Sequence, residues 1–489
     1  MLKALTFTIS DKPLQTKGRI LPAPNLTMDK NKFEPNSGVW DLRYNKFHNP
    51  GELKTWAVIN YDTRTRADTL NKFLNELMNQ GRSKGMRISQ PFDVYTCGDR
   101  NPNPSNDFKY YKEKQANIQL IMCVLPGRKF YGAIKTAGDT EHGIISQCVV
   151  SANVFKCNIQ TIVNILLKIN AKIGGVNTIV TAIPQRVTGL IDFREPFMIL
   201  GADVNHPPAG GDSSIPSIAA VVGSYDTSGT KYAVERRAQE HRVENIVDMT
   251  EITMNLLRNF RQKVNRAPSR IIMYRDGVSE SQFPQVLAKE MMAMRKACLT
   301  LTKDGSYTPG ITFICVQKRH HTRLILTFCI VNRLFCDEKY VHNQRNKNVP
   351  PGTIVDRDIT HPTETDFFLC SHQGIQGTSK PTHYHLLWDD NDIPIDELQA
   401  LTYRLCHVYS RCARSVSIPT PVYYAHLAAF RAKVYAAEIL GGSGSDSGSV
   451  MSGAGGRAEE EEKNRLRQEI RRVANVAYGT PLSYQLHYI

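Results

Sequence analysis

Two stretches about seventy residues apart each run an apolar, strand-like segment into an aspartate and then into a polar turn. In the first, Phe197-Met198-Ile199-Leu200-Gly201-Ala202-Asp203 passes into Val204-Asn205-His206-Pro207. In the second, Ile271-Ile272-Met273-Tyr274-Arg275-Asp276 passes into Gly277-Val278-Ser279-Glu280. Such runs read as buried strands whose last residue carries a carboxylate to the sheet edge. A long helical stretch bearing a further acid lies between them. Two carboxylates on adjacent strands, with no cysteine or histidine cluster beside them, suit hard divalent cations such as magnesium. A pair of such ions is a general device for in-line cleavage of a phosphodiester. An Asp at a strand end also serves as a turn or cap residue. The residues alone leave both readings open.

The 489 residues are enough for two or three domains with sizeable cores. A formal net charge of +15 favours a polyanion such as nucleic acid over an acidic protein or simple solubility. Eleven scattered cysteines without a Cys-x-x-Cys pair indicate neither a zinc site nor a disulfide framework, and the odd count points to a reducing compartment. Met1 to Phe7 lacks the apolar core of a signal peptide. The most apolar run, Leu324 to Val331, is too short to cross a bilayer. The expectation is a soluble intracellular protein with no membrane partner.

Residues 1–34 are rich in Pro and Lys and read as an extended linker. A strand at Lys54 to Tyr61, a helix at Ala67 to Gln80, a strand at Leu120 to Leu125 and an amphipathic helix at Ile159 to Ile169 imply a small parallel α/β sheet. A second α/β run begins near Val180 and holds both carboxylate strands. Its strand at Ile311 to Val316 leads into Lys318-Arg319-His320-His321-Thr322-Arg323. Helices follow at Asp396 to Ser410 and from Tyr423 to about Leu440. Residues 441–457 are mostly Gly, Ser and Ala, a flexible low-complexity loop before a helix opened by Glu459-Glu460-Glu461-Glu462.

The motifs then fall in a recognisable order. They are Tyr131-Gly132-Ala133-Ile134-Lys135, Gln147-Cys148, Lys168 to Gly175, the two Asp units, Lys318 to Arg323, Tyr384-His385-Leu386-Leu387-Trp388-Asp389-Asp390-Asn391, Arg414 to Pro419 and Tyr423-Tyr424-Ala425-His426. Together they resemble the MID and PIWI domains of eukaryotic, fungal-type Argonaute proteins over nearly the whole chain. The resemblance implies a Rossmann-like MID domain with a small parallel sheet over residues 35–178, followed by an RNase H-like PIWI domain over 179–489. It implies small-RNA-guided RNA binding and target cleavage in gene silencing, in the cytoplasm, with the nucleus as a second location.

The family's catalytic tetrad falls on Asp203, Glu244, Asp276 and His426, with Asp203, Asp276 and His426 as ligands of two Mg2+ ions, for which Mn2+ could substitute. Val243, Ile246, Val247, Met254 and Leu257 fit the apolar face of a helix, so Glu244 is expected on that helix, off its apolar centre, joining the site on closure. The resemblance assigns the guide's 5′-phosphate to Tyr131, Lys135, Gln147, Lys168, Lys172 and Arg431. It assigns the guide backbone to Lys318, Arg319, Arg323, His372, Tyr409 and Arg411. Partners implied are a 5′-phosphorylated guide RNA, a complementary target RNA and Gly-Trp repeat proteins.

Two features depart from the family. After Arg323 the usual Leu-Phe-Pro is replaced by Leu324 and an apolar insert, residues 325–334, read as a mis-spliced segment. The loop Pro126 to Phe130 is one residue short, so the first-nucleotide preference stays open. The family's amino-terminal and PAZ domains are not in this sequence. Two other classes remain: a guide-binding scaffold that recruits partners and seldom cuts, and an unguided RNase H-type nuclease, which would leave the first lobe without a role.

Overall fold

The computed structural model describes residues 10, 12–98, 102–181, 195–208, 210, 215–226, 228–325, 348–443, 456–475 and 481–489. The low-complexity loop, over 444–455, and all but Ile325 of the apolar insert lie outside the described residues.

The small sheet runs Asp93–Thr96, Trp56–Asn60, Leu120–Leu125, Ser146–Val150, every neighbouring pair parallel. Its two middle strands are buried along their whole length, as expected of strands covered by helices on both faces. One face packs on the helices Ala67–Ser83 and Ile159–Lys172 through Leu70, Phe73, Leu77, Ile162 and Leu166. The other carries Phe108, Tyr111, Ile134 and Ala137.

Among the described residues the large sheet has nine strands, in the order Arg19–Ile20, Thr353–Val355, Thr365–Cys370, Thr382–Asp389, Gly310–Gln317, Arg270–Asp276, Phe197–Asn205, Ser217–Ser224, Tyr232–Gln239. Only its centre is parallel: Phe197–Asn205 beside Arg270–Asp276 beside Gly310–Gln317. Ala202 pairs with Arg275, so Asp203 and Asp276 are the next residues of two neighbouring parallel strands and emerge from the same sheet edge. The outer edge corrects one expectation. Residues 1–34 are not merely a linker, because Arg19 and Ile20 pair with Ile354 and Thr353 and close the sheet. Arg19 is further held by Asp356 at 2.7 Å and Asp396 at 2.6 Å. So few residues carry no readable strand period.

One helix, Thr420–Ser443, ties the molecule together. Its Ala425, Ala428, Ala429 and Ala432 are fully buried against the large sheet, and small side chains at that spacing let the backbones approach closely. Gly201, in the first carboxylate strand, meets its start: a Cβ there would lie 2.2 Å from the Pro421 carbonyl carbon. Gly201→Val is therefore expected to lift the helix and destabilise the protein by about 1–3 kcal/mol or more. A thermal melt would show this as a fall of several degrees; an unchanged melting temperature would contradict the packing.

Candidate active site and anion pocket

Asp203 is buried at the end of its strand, and its Oδ2 lies 3.1 Å from Nδ1 of His426 on the long helix. Asp276 ends the neighbouring strand and its Oδ1 accepts the Gly277 amide at 2.7 Å. Gly277 turns the chain with φ +90°, a left-handed value that favours glycine. A Cβ at Gly277 would lie 3.2 Å from Glu244 Oε1 and 3.6 Å from Asp203 Oδ1, so both carboxylates converge on one point above this turn.

Glu244 thus belongs to the cluster, but not from a helix. Residues 240–248 form a turn between the Tyr232–Gln239 strand and the helix Met249–Val264. Val247, assigned to an apolar helix face, is 65% exposed. The helix begins only at Met249, so the apolar spacing of Val243, Ile246 and Val247 is not helical. What holds the turn is polar. Gln239 donates to the Val243 and Asn245 carbonyls, and Glu290 Oε1 accepts the Ile246 amide at 2.9 Å.

Two residues of the Asp units to which the sequence assigned no role point Glu244 inward. His206 Nε2 meets its Oε2 at 2.7 Å, and Arg275 Nη1 lies 3.0 Å from its Oε1. Arg275 also donates to the Glu244 carbonyl at 2.7 Å and to Glu290 Oε2 at 2.9 Å. Burial works against the charge of this guanidinium, but Glu290 and Glu244 outweigh it and keep it protonated. His206 sits in the Asp203 unit and Arg275 directly precedes Asp276. Position in those two motifs was the signal that could have found them.

The donor set fits a hard divalent cation. It offers three carboxylates and one imidazole, and the buried Glu244 Oε1 has the Arg275 ion pair but no hydrogen bond. The Asp276 carboxyl is pushed up to about 6, by burial first and the neighbouring Asp203 second. Carboxylates crowded in this way ionise together most readily around a cation. The hydrogen bond to Asp203 first, and its charge, raise the pKa of His426.

Among the described residues, the group of His, Cys, Asp and Glu whose donor atoms all lie within 4.8 Å of one another is a different one: Asp366, His383 and His385. The donors of Asp203, Asp276 and His426 are more widely spread as a group. In the tighter cluster His383 Nε2 meets Asp366 Oδ2 at 2.5 Å, His383 Nδ1 meets His385 Nε2 at 3.1 Å, and the His383 ring stacks on Phe368 at 3.9 Å. These contacts tie strand Thr365–Cys370 to Thr382–Asp389. His383 and His385 alternate on one strand and so share a face, a sequence signal the motif order overshadowed.

The second site is cationic. Lys135 is 2% exposed and donates to Ser146 O at 2.9 Å and Oγ at 2.7 Å. Lys172 is 1% exposed and donates to Ser146 O and Gln147 Oε1, both at 3.0 Å. Tyr131 opens the helix Tyr131–Thr136, with the Lys135 ammonium 5.7 Å from its ring centre. Arg431, from the long helix of the other lobe, meets Asp139 Oδ2 at 2.6 Å and the Tyr131 hydroxyl at 3.4 Å. Burial first, and then Lys135, Arg431 and Lys168, push the Lys172 ammonium down. Lys168 is pushed down to about 8, again by burial first, then by Arg411 and Lys135. Neighbouring cations that depress one another are stabilised by an anion. The lysine pair at i and i+4 is therefore not a solvated surface pair.

Of the six residues expected along the guide backbone, Tyr409 and Arg411 share one surface groove. Lys168 and Arg411 line an open groove of about 590 Å³ with Asn164, Tyr409, Tyr423 and His426, so one lysine of the cationic set and the histidine beside Asp203 share a groove. Tyr409 is buried and packs at a tilt against Tyr423, ring centres 4.6 Å apart. Lys318 bonds the Ser417 hydroxyl and bears on His372, whose imidazole burial lowers to about 4. Arg319 is exposed and close enough to His426 to oppose its charge. Arg323 is exposed and turned onto the His320 and Thr322 carbonyls. The structure brings Arg411 and Tyr409 together with Lys168, and leaves Arg323 at the rim.

The Piwi domain family model matches residues 120–436, and the Mid domain of argonaute matches residues 34–122. The chain belongs to the Piwi-domain family, with an RNase H-like fold. Within it the chain is an Argonaute, carrying the Rossmann-like MID part ahead of the PIWI part. The C-terminal lobe of a budding yeast Argonaute is 24% identical, with a TM-score of 0.80 over 96% of this chain and 95% of that one. Kluyveromyces polysporus Argonaute, solved with a guide RNA, is 26% identical with a TM-score of 0.79. The match covers 96% of this chain and 56% of that one. The N. crassa QDE-2 MID-PIWI domains are 20% identical, with a TM-score of 0.58 over 91% of this chain and 100% of that one. Among the described residues no helix is long and apolar enough to cross a membrane.

Proposed function

We propose that the protein anchors the 5′-phosphate of a short guide RNA in its first lobe and cuts a paired RNA target in its second, as a silencing nuclease. The division between the lobes would fall near residue 178. The observation that carries the reading is the groove shared by Lys168 and Arg411, from the cationic set, and His426, the partner of Asp203. Lys135, Gln147, Lys172 and Arg431 would hold the terminal phosphate through charge-assisted hydrogen bonds. Tyr131 offers its ring to the first base. Lys318, Arg319, Arg323, His372, Tyr409 and Arg411 would follow the backbone, leaving target choice to base pairing.

Asp203, Asp276 and His426 would hold two Mg2+ ions, or Mn2+ in their place. When bound, such a pair supplies an acidified water and charge neutralisation at a phosphodiester. Glu244, already turned inward by His206 and Arg275, would complete the acidic wall. Asp203 keeps the His426 ring oriented through Nδ1, and the Gly277 amide fixes the Asp276 carboxylate.

One observation favours a guide-binding scaffold that cuts little: the tetrad donors are spread more widely than those of the Asp366 cluster. A cleavage assay separates the two readings. The purified chain, loaded with a 5′-phosphorylated guide and given a fully paired target, should cut once with Mg2+ and not with a chelator. Guide binding without metal-dependent cutting would leave the scaffold.

The pocket's pH dependence has a definite sign. Lys168, depressed to about 8, loses its proton as pH rises past that value, while the phosphate loses its second negative charge below about pH 6. The preference for 5′-phosphorylated over 5′-hydroxyl guide should therefore peak at about pH 7, within the window of about 6 to 8. Fluorescence anisotropy across pH 5–10 would show the peak; a flat preference would remove Lys168 from the pocket.

A further inference from the structure

Beneath the cationic pocket lies a pair of cysteines that neither guide binding nor cleavage uses. Cys123 and Cys148 are register partners on adjacent parallel strands of the small sheet, and both pack into the same apolar layer. Partners on neighbouring strands lie about 5 Å apart. That is within the roughly 4.4–6.8 Å Cα separation that a disulfide spans.

The two thiols are unequal. Cys123 is fully buried, whereas Cys148 is partly exposed and directly follows Gln147, whose side chain bonds Lys172. The neighbouring Cys123 thiol first, and then Lys135, Lys172 and Arg431, outweigh burial and hold Cys148 below the usual thiol range. Burial pushes Cys123 up. A low-lying thiol beside cations with a protonated thiol at its back is the arrangement of a nucleophile and its resolving partner. Cys298, Cys370 and Cys406 are also buried, but burial raises each of them.

We propose that Cys148 and Cys123 form a peroxide-sensitive dithiol in the floor of this pocket, closing to a disulfide when the pocket is empty and shielded when a 5′-phosphate fills it. The shielding rests on the phosphate-pocket reading above; the disulfide does not. Hydrogen peroxide is the oxidant. The Cys148 thiolate attacks one peroxide oxygen, the O–O bond breaks, and hydroxide leaves and takes up a proton to become water. The resulting sulfenic acid is attacked by the Cys123 sulfur, the S–S bond forms, and the S–OH oxygen departs as water with the Cys123 proton. Two thiols surrender two electrons and two protons to one peroxide, giving two waters. A phosphate dianion over the same lysines would draw their charge away from Cys148, raise its pKa and slow the first step.

The test treats the guide-free chain with graded hydrogen peroxide, alkylates the remaining thiols and maps the peptides by mass. A Cys123–Cys148 cross-link is expected at about tenfold lower peroxide than oxidation of Cys298 or Cys406, reversed by dithiothreitol. Cys123→Ser should instead leave a dimedone-trappable sulfenic acid on Cys148. Cys148 reacting no faster than Cys406, or passing to sulfinic acid with Cys123 still alkylatable, would overturn the dithiol and leave the phosphate pocket untouched. Preloading with 5′-phosphorylated RNA should slow the cross-link about tenfold, and 5′-hydroxyl RNA should not. Equal rates under both RNAs would overturn the shielding and count against the phosphate assignment, with the dithiol still standing.

Discussion

Asp203→Ala should lower target cleavage by about 10³-fold while guide affinity stays within about twofold. Asp203 is the residue the cluster shares. It meets His426 at 3.1 Å, its charge raises Asp276, and its Oδ1 converges with Glu244 above Gly277. Removing it takes away a donor and releases the His426 ring. Asp276→Ala should do the same, and the double replacement should be little worse than either alone, because residues acting as a unit are non-additive. Single-turnover cleavage and filter binding on the same preparations would read both effects. Loss of guide binding in step with cleavage would contradict the division of labour between the lobes.

Lys172→Ala should weaken a 5′-phosphorylated guide about 100-fold and a 5′-hydroxyl guide by less than about threefold. Truncating one partner of a buried charge pair typically costs ~2–5 kcal/mol. Lys172 qualifies because it is buried with only the Ser146 carbonyl and the Gln147 amide oxygen as partners for its ammonium among the bonds described. Lys135→Glu should act in the same direction and further, since it reverses a charge beside Ser146. Both variants need a circular-dichroism melt, because Lys135 and Lys172 each brace Ser146. Equal weakening of both guides with the fold intact would remove the phosphate assignment.

The parts of the fold that sequence disclosed are those governed by local patterning. The two strands ending in Asp203 and Asp276 were readable because their apolar runs are long and their turns polar, whereas the antiparallel strands Ser217–Ser224 and Tyr232–Gln239 between them were not read. The helix Ile159–Lys172 and the strand Leu120–Leu125 were readable for the same reason. Glu244 was found through motif order, yet its setting was misjudged. Val243, Ile246 and Val247 mimic helical spacing in a turn that Gln239, Arg275 and Glu290 hold from outside the segment. Arg19–Ile20 joining the large sheet depends on a partner more than three hundred residues away, and two residues carry no period. His206, Arg275 and the Asp366–His383–His385 cluster are positions where tertiary hydrogen bonding, not spacing, decides the role.

The cationic pocket and the carboxylate cluster are joined through one helix, which carries His426 and Arg431 five positions apart. On the proposed reading that linkage would fix the distance between an anchored 5′ end and the carboxylates. The direct measurement is a cleavage map of one labelled target with guides whose 5′ ends are shifted by single nucleotides. The account predicts one Mg2+-dependent cut that moves by one nucleotide with each shift and vanishes in Asp203→Ala. A cut whose position ignores the guide's 5′ end, or one that survives Asp203→Ala, would contradict it.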